Sequence, residues 1–151
     1  MALSTPAQAQ SAGDKAAAEA LFDEGRKLMQ EGKLEPACRK FEASQRLDPA
    51  PGTLLNEADC WEKLGRTASA WVSFREAAAL ARNAGDTKRA SAATQRAAAL
   101  EPKLARLKIT VPDAVRSTSG LTVKRDGEKV DAALWDSPIP VDAWVSSLGP
   151  P

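Results

Sequence analysis

The sequence predicts a mainly α-helical repeat followed by a short β segment. Three observations carry this. Alanine, the strongest helix former, makes up about 20% of the chain and falls mostly before Arg106. Residues 14–101 show an internal repeat, because a shift of 33 residues superposes apolar and small positions. Beyond Arg106 the texture changes to Val, Ile, Thr, Gly and Pro, with apolar and polar residues in alternation.

The helices follow in order. The first is expected over Asp14 to Glu31 and the second over Leu34 to Leu47, with Pro36 in its first turn, where a missing N–H has no intrahelical partner. Asp48-Pro49 stops the second helix. The third runs Gly52 to Leu64 and the fourth Thr67 to Asn83. A fifth, with Asp86 as N-cap, runs to about Leu100 as a capping helix. Under the shift Leu21 falls on Leu54, Leu28 on Trp61, Gly32 on Gly65, Ala37 on Ala70 and Phe41 on Phe74. Gly32 and Gly65 suit left-handed helix ends. Ala37 and Ala70 let helices approach, and Phe41 and Phe74 fill the space between them.

This spacing resembles the tetratricopeptide repeat (TPR) family. The first unit supplies Gly25, Leu28, Gly32, Ala37, Phe41, Ser44 and Pro49, and the second Ala58, Trp61, Gly65, Ala70, Phe74 and Ala77. Arg82 stands where the second unit's terminal Pro would fall, so the fourth helix is expected to run long. The run from Ala37 to Asn56 is similar to deltaproteobacterial repeat proteins, which often carry an export leader and a small β module. The resemblance implies a helical protein-interaction module and no particular ligand.

In the last third, Leu107, Ile109 and Val111 alternate with polar residues and predict a strand; Leu121 and Val123 do the same. Asp126-Gly127 is a hairpin turn signal, with Glu128 to Val130 as the return strand. Pro138-Ile139-Pro140-Val141-Asp142 resembles a Pro-flanked strand of the PEGA-type β modules of bacterial envelope proteins. That family's final strand is not evident, so residues 106–151 are read as a short, incomplete β-rich segment with an open edge.

Residues 1–13 read either as a disordered arm or as the remnant of a signal peptide, since Ala7-Gln8-Ala9 has the small-x-small form that precedes a cleavage site. A lost leader before Ala9 would place the protein in the periplasm or cell envelope; otherwise it is cytoplasmic.

Composition narrows the function. The 151 residues carry a net charge of +1, which argues against a nucleic-acid partner. There is no His, which removes His-based triads and His metal sites, and two cysteines cannot build a four-Cys zinc site. No apolar run reaches the roughly 20 residues of a membrane span. No catalytic residue, cofactor or metal is expected.

The candidate site is the inner face of the repeats, formed by the first helix of each unit. Phe22, Arg26 and Met29 from the first helix, and Leu55, Asn56, Asp59, Glu62 and Lys63 from the third, are expected to face solvent there. Phe22, Met29 and Leu55 would anchor a partner peptide or helix. The carboxylate clamp known in the TPR family does not fit, because Phe22 and Arg26 stand where Lys and Asn would be needed. Self-association, with the β segment completing a neighbour's sheet, is the alternative. Cys38 and Cys60 lie on adjacent helices and form a disulfide if the protein is exported, or remain buried thiols if it is cytoplasmic. Asp23, Glu24, Glu57 and Asp59 are read as helix-surface charges, and Arg39, Lys40 and Arg46 as a solvated face. Trp61 and Trp71 are read as part of the helical core or its flank. Trp135 and Trp144 either pack the β segment on the helices or form an exposed aromatic surface.

Overall fold

A computed structural model describes residues 11–143. Five long helices come first: α1 (Ala12–Gln30), α2 (Leu34–Leu47), α3 (Pro51–Lys63), α4 (Thr67–Asn83) and α5 (Thr87–Leu100). A 3-10 turn leads to β1 (Ala105–Lys108), the one-turn α6 (Asp113–Arg116), β2 (Lys124–Arg125) and β3 (Glu128–Lys129). A second 3-10 turn at Ala132–Leu134 precedes β4 (Pro138–Val141). The protein is mainly α, a helical repeat followed by a short β segment.

Local chemistry sets the helix bounds. Helix α1 starts earlier than the sequence predicts, inside the expected arm, because Ser11 and Asp14 form a reciprocal capping box: the Asp14 N–H donates to Ser11 Oγ at 3.0 Å and the Ser11 N–H to Asp14 Oδ2 at 3.3 Å. Residues 1–10 lie outside the described residues. Helix α3 gains Pro51 at its first position, where the fixed φ suits a helix start. The α1–α2, α3–α4 and α4–α5 corners share one device. Gly32, Gly65 and Gly85 take φ of 73°, 81° and 75°. The next residue's N–H then reaches back to the carbonyl of Leu28, Trp61 or Ala81, at 2.9 Å each time, as in a Schellman motif.

Small residues bring the helices close. A Cβ added at Gly25 would stand 2.9 Å from the Phe41 ring. Phe41, Ala37, Ala58 and Ala70 are completely buried and Phe74 nearly so. Ser44 Oγ donates to the Ala18 carbonyl at 2.8 Å and ties α2 to α1. A second cluster of Leu54, Ala77, Ala78 and Ala93 joins α3, α4 and α5. Cys38 on α2 and Cys60 on α3 are joined by a disulfide, with Cα atoms 5.5 Å apart and both residues buried. A closed loop of this size contributes about 3 kcal/mol through chain entropy.

The β segment is more irregular than its alternation predicts. β1 pairs antiparallel with β4, Leu107 opposite Ile139 and Ala105 opposite Val141. It ends at Lys108, so Ile109 and Val111, which the alternation placed in this strand, fall outside it, although Val111 is buried. The expected strand at Leu121 and Val123 does not form, and Leu121 is exposed. Strand pairing there covers Lys124 with Lys129 and Arg125 with Glu128, and one further bond runs from the Val130 N–H to the Val123 carbonyl at 2.8 Å. The turn between them is as the sequence predicts: Asp126 and Gly127 have φ of 51° and 85°, the two positive values a type I′ hairpin requires. The short α6 carries no alternation or apolar face and is not anticipated.

The Gly25–Phe41 contact yields a test. Gly25→Val forces a branched side chain against a buried ring and should destabilise the protein by about 1–3 kcal/mol, read as a shift of the urea midpoint with little change in slope.

Candidate functional site

Phe22, Arg26 and Met29 recur at one helical face of α1, and Leu55, Asp59 and Glu62 at the matching face of α3. The structure corrects the expectation that the apolar members face solvent. Phe22 is half-buried, its ring centroid 5.6 Å from that of Phe41. Met29 and Leu55 are also half-buried against the core. Helix–helix packing claims one side of each, so only the other side is available to a partner. Arg26 is exposed and makes no ion pair among the described residues. Asn56 turns back on its own helix, donating to the Gly52 carbonyl at 2.9 Å.

The charged end of this face is a connected cluster. Lys63 Nζ lies 2.8 Å from Asp59. Arg96, from α5, reaches 3.2 Å to Asp59 and 2.6 Å to Glu62, with its guanidinium 4.6 Å above the Phe74 ring. Burial pushes the Asp59 carboxyl up, but hydrogen bonds from Lys63 and Arg96 outweigh it and hold its pKa below the ordinary value. The hydrogen bond to Glu62 is the main reason Arg96 is held more firmly charged. Sequence reasoning treated α5 as a cap and missed Arg96. The signal was present: a second 33-residue step carries Lys63 onto Arg96. Helix α5 therefore extends the inner face as well as closing the array.

Glu57 is not a helix-surface charge. It is 8% exposed, accepting from Ser73 Oγ at 2.9 Å and from the Trp61 indole at 3.4 Å. Burial raises its pKa, and those two hydrogen bonds only partly oppose the rise. Trp61 is buried between the Arg39 and Arg66 guanidiniums, 5.5 Å and 5.1 Å from its centroid. Arg39 also pairs with Glu42, and Lys40 with Glu24, so the α2 face is more than a set of solvated charges. Trp71 is half-buried against the core. Trp135 is half-buried within the β segment with Arg116 5.9 Å over its ring, and Trp144 lies outside the described residues.

Two further features lie away from the inner face. Asp142 docks the β segment on α4: Ser69 donates its N–H to Oδ1 at 3.0 Å and its hydroxyl to Oδ2 at 2.5 Å. Ser69 is in the first turn of α4, where the other capping residue, Arg66, offers no side-chain acceptor, so Asp142 caps the helix from 73 residues away. Beside this contact is a cleft of about 960 Å³ bordered by Leu64, Arg66, Leu107, Arg125 and Val141. A groove of about 690 Å³ also runs between α4 and α5 past Trp71, Val72, Arg75 and Ala98.

No protein-family model matches the chain, and no curated protein sequence matches it. Among the described residues there is no cluster of His, Cys, Asp or Glu able to hold a metal, and no helix is long and apolar enough to cross a membrane.

Two outcomes follow. Asp142→Ala should cost about 0.5–2 kcal/mol, the usual loss for a helix cap, and speed amide exchange at Ser69 and along β4 ahead of α1 and α2. For Glu57, the folded state holds its proton more tightly than the unfolded state, whose ordinary value is 4.5. The folded state thus binds more protons in the window just above 4.5, and stability contributed by this group falls as pH rises through it. Urea titrations across that window should show the stability of the wild type falling relative to that of Glu57→Gln as pH rises.

Proposed function

We propose that this chain is a TPR-type repeat protein that acts as a non-enzymatic protein-interaction module, binding a partner peptide or helix on the inner face of α1, α3 and α5. The observation that carries the proposal is the row Phe22, Met29 and Leu55, each half-buried at a helix seam and flanked by Arg26, unpaired among the described residues, and the Asp59–Lys63–Arg96 cluster. Half-buried apolar side chains are held in place by the core, so a partner meets preorganised anchors and loses less entropy in binding them. The surrounding charges supply register and orientation. The 33-residue repeat and its small and aromatic positions support the family reading. The buried Cys38–Cys60 bridge supports an oxidising compartment, and so a place in the bacterial periplasm or envelope.

The test uses in-cell crosslinking and affinity capture with the wild type and an Arg26→Glu/Lys63→Glu variant. Both residues are exposed, and Arg96 still holds Asp59 in the variant. A partner captured by the wild type, and bound by the purified variant about tenfold more weakly or worse, is the expected result. Equal capture by both would move the site off the inner face. Recovery of the bait alone would favour self-association.

A further inference from the structure

The two-stranded β1–β4 sheet has two unequal edges. In an antiparallel ladder, residues that exchange hydrogen bonds alternate with residues whose N–H and C=O groups point away from the partner strand. Pro138 and Pro140 stand opposite Lys108 and Arg106. Proline has no N–H, so these cannot be the bonded pairs; the bonded pairs are Leu107 with Ile139 and Ala105 with Val141. The hydrogen bond from the Asp136 N–H to the Ile109 carbonyl, 2.9 Å, continues the same alternation. The outer edge of β4 thus offers only the carbonyls of its prolines and cannot accept another strand. The outer edge of β1 carries the N–H and C=O groups of Arg106 and Lys108, and no other described residue bonds them.

The side chains divide in the same way. Ala105, Leu107, Ile139 and Val141 share one face, and Leu107 and Val141 border the 960 Å³ cleft. Leu107 remains 36% exposed because no strand lies beyond it among the described residues. Arg106 and Lys108 occupy the other face, both exposed, and the nearest carboxylate to Arg106 is Glu101 at 4.0 Å.

We propose that the β1 edge is a second docking site, independent of the inner face, that adds an extended peptide strand of acidic–apolar–acidic pattern. The two acidic residues would stand directly opposite Arg106 and Lys108, and the apolar residue between them would cover Leu107 in the cleft. A second copy of this chain is a poor occupant. Pairing β1 with itself places Arg106 opposite Lys108 or opposite Arg106 of the other copy, and like charges opposite one another destabilise a sheet.

Fluorescence anisotropy with the full chain tests this. The probe is a labelled, end-blocked peptide Thr-Val-Glu-Val-Glu-Val-Thr, compared with its Lys-for-Glu counterpart and with two N-methylated forms. The acidic peptide should bind and the basic one should not. In an antiparallel addition the Glu nitrogens opposite Arg106 and Lys108 face β1, so methylation at both should abolish binding; methylation at the flanking Val nitrogens should spare it. An Arg106→Glu/Lys108→Glu protein should bind the acidic peptide about tenfold more weakly or worse and gain the basic one. The Arg26→Glu/Lys63→Glu protein should bind as the wild type does, which separates this site from the inner face. No binding of the acidic peptide at about 1 mM protein, a typical ceiling for a weak strand addition, overturns the proposal. Equal binding of acidic and basic peptides, or of the two methylated forms, overturns it as well.

Discussion

The close approach of α1 to α2 at Gly25 is the constraint on which the helical array depends. The Phe41 ring fills the space that a side chain at position 25 would need. One unit on, Ala58 takes the same place, and Phe74 the place of Phe41. Small-on-aromatic contacts of this kind bury the aromatic rings deeply but use few large side chains. Among the fully buried side chains only Phe41 and Phe74 are large; Cys38, Cys60 and Ser44 are next in size, and alanines such as Ala37, Ala58 and Ala70 follow. An alanine-rich core makes less hydrophobic stabilisation per residue than one of Leu and Ile. The disulfide between α2 and α3, the Ser44–Ala18 hydrogen bond and the Glu57–Ser73 contact therefore matter more than they would in a larger core.

The helical part was legible because its signals are local and repeated. Each αL glycine marks a corner, and each needs no long-range information: nothing lies within 4 Å of a Cβ at Gly32, Gly65 or Gly85, so φ alone selects glycine there. The β segment was less legible because alternation predicts a strand only where a partner exists. Leu121 and Val123 alternate as Leu107 and Ile109 do, yet the tight Asp126–Gly127 turn pairs just two residues on each side, and beyond them only the Val130 N–H reaches across, to the Val123 carbonyl at 2.8 Å. The early end of β1 has the same cause: β4 begins at Pro138, opposite Lys108, and no strand continues opposite Thr110 and Val111.

The inner face divides on similar lines. Helical spacing puts Phe22, Arg26 and Met29 on one stripe, but spacing does not say how much of each side chain the neighbouring helix takes. Glu57 shows the limit most clearly. Its place in the sequence is that of any surface carboxylate, and only the arrival of Ser73 from α4 makes it an interior group. Arg96 was within reach of the repeat arithmetic, because position 63 and position 96 are one unit apart, but the flanking alanines of α5 hid the match.

Asp142 links the two halves in a way that bears on how each is used. An isolated two-stranded sheet of four-residue strands is marginal in water. This one gains a fixed support by placing its last carboxylate on the first turn of α4, where the helix dipole and free N–H groups favour a negative charge. The same contact satisfies a helix end that has no cap of its own. Each half therefore supplies what the other lacks. The side of β4 that leads into Asp142 is held by the helices and closed by prolines, and β1 is left as the edge whose hydrogen-bonding groups no other described residue takes. Edges of that kind favour aggregation unless guarded. Arg106 and Lys108 guard this one against copies of itself, since any self-pairing sets like charges face to face, while leaving it open to a strand of opposite charge.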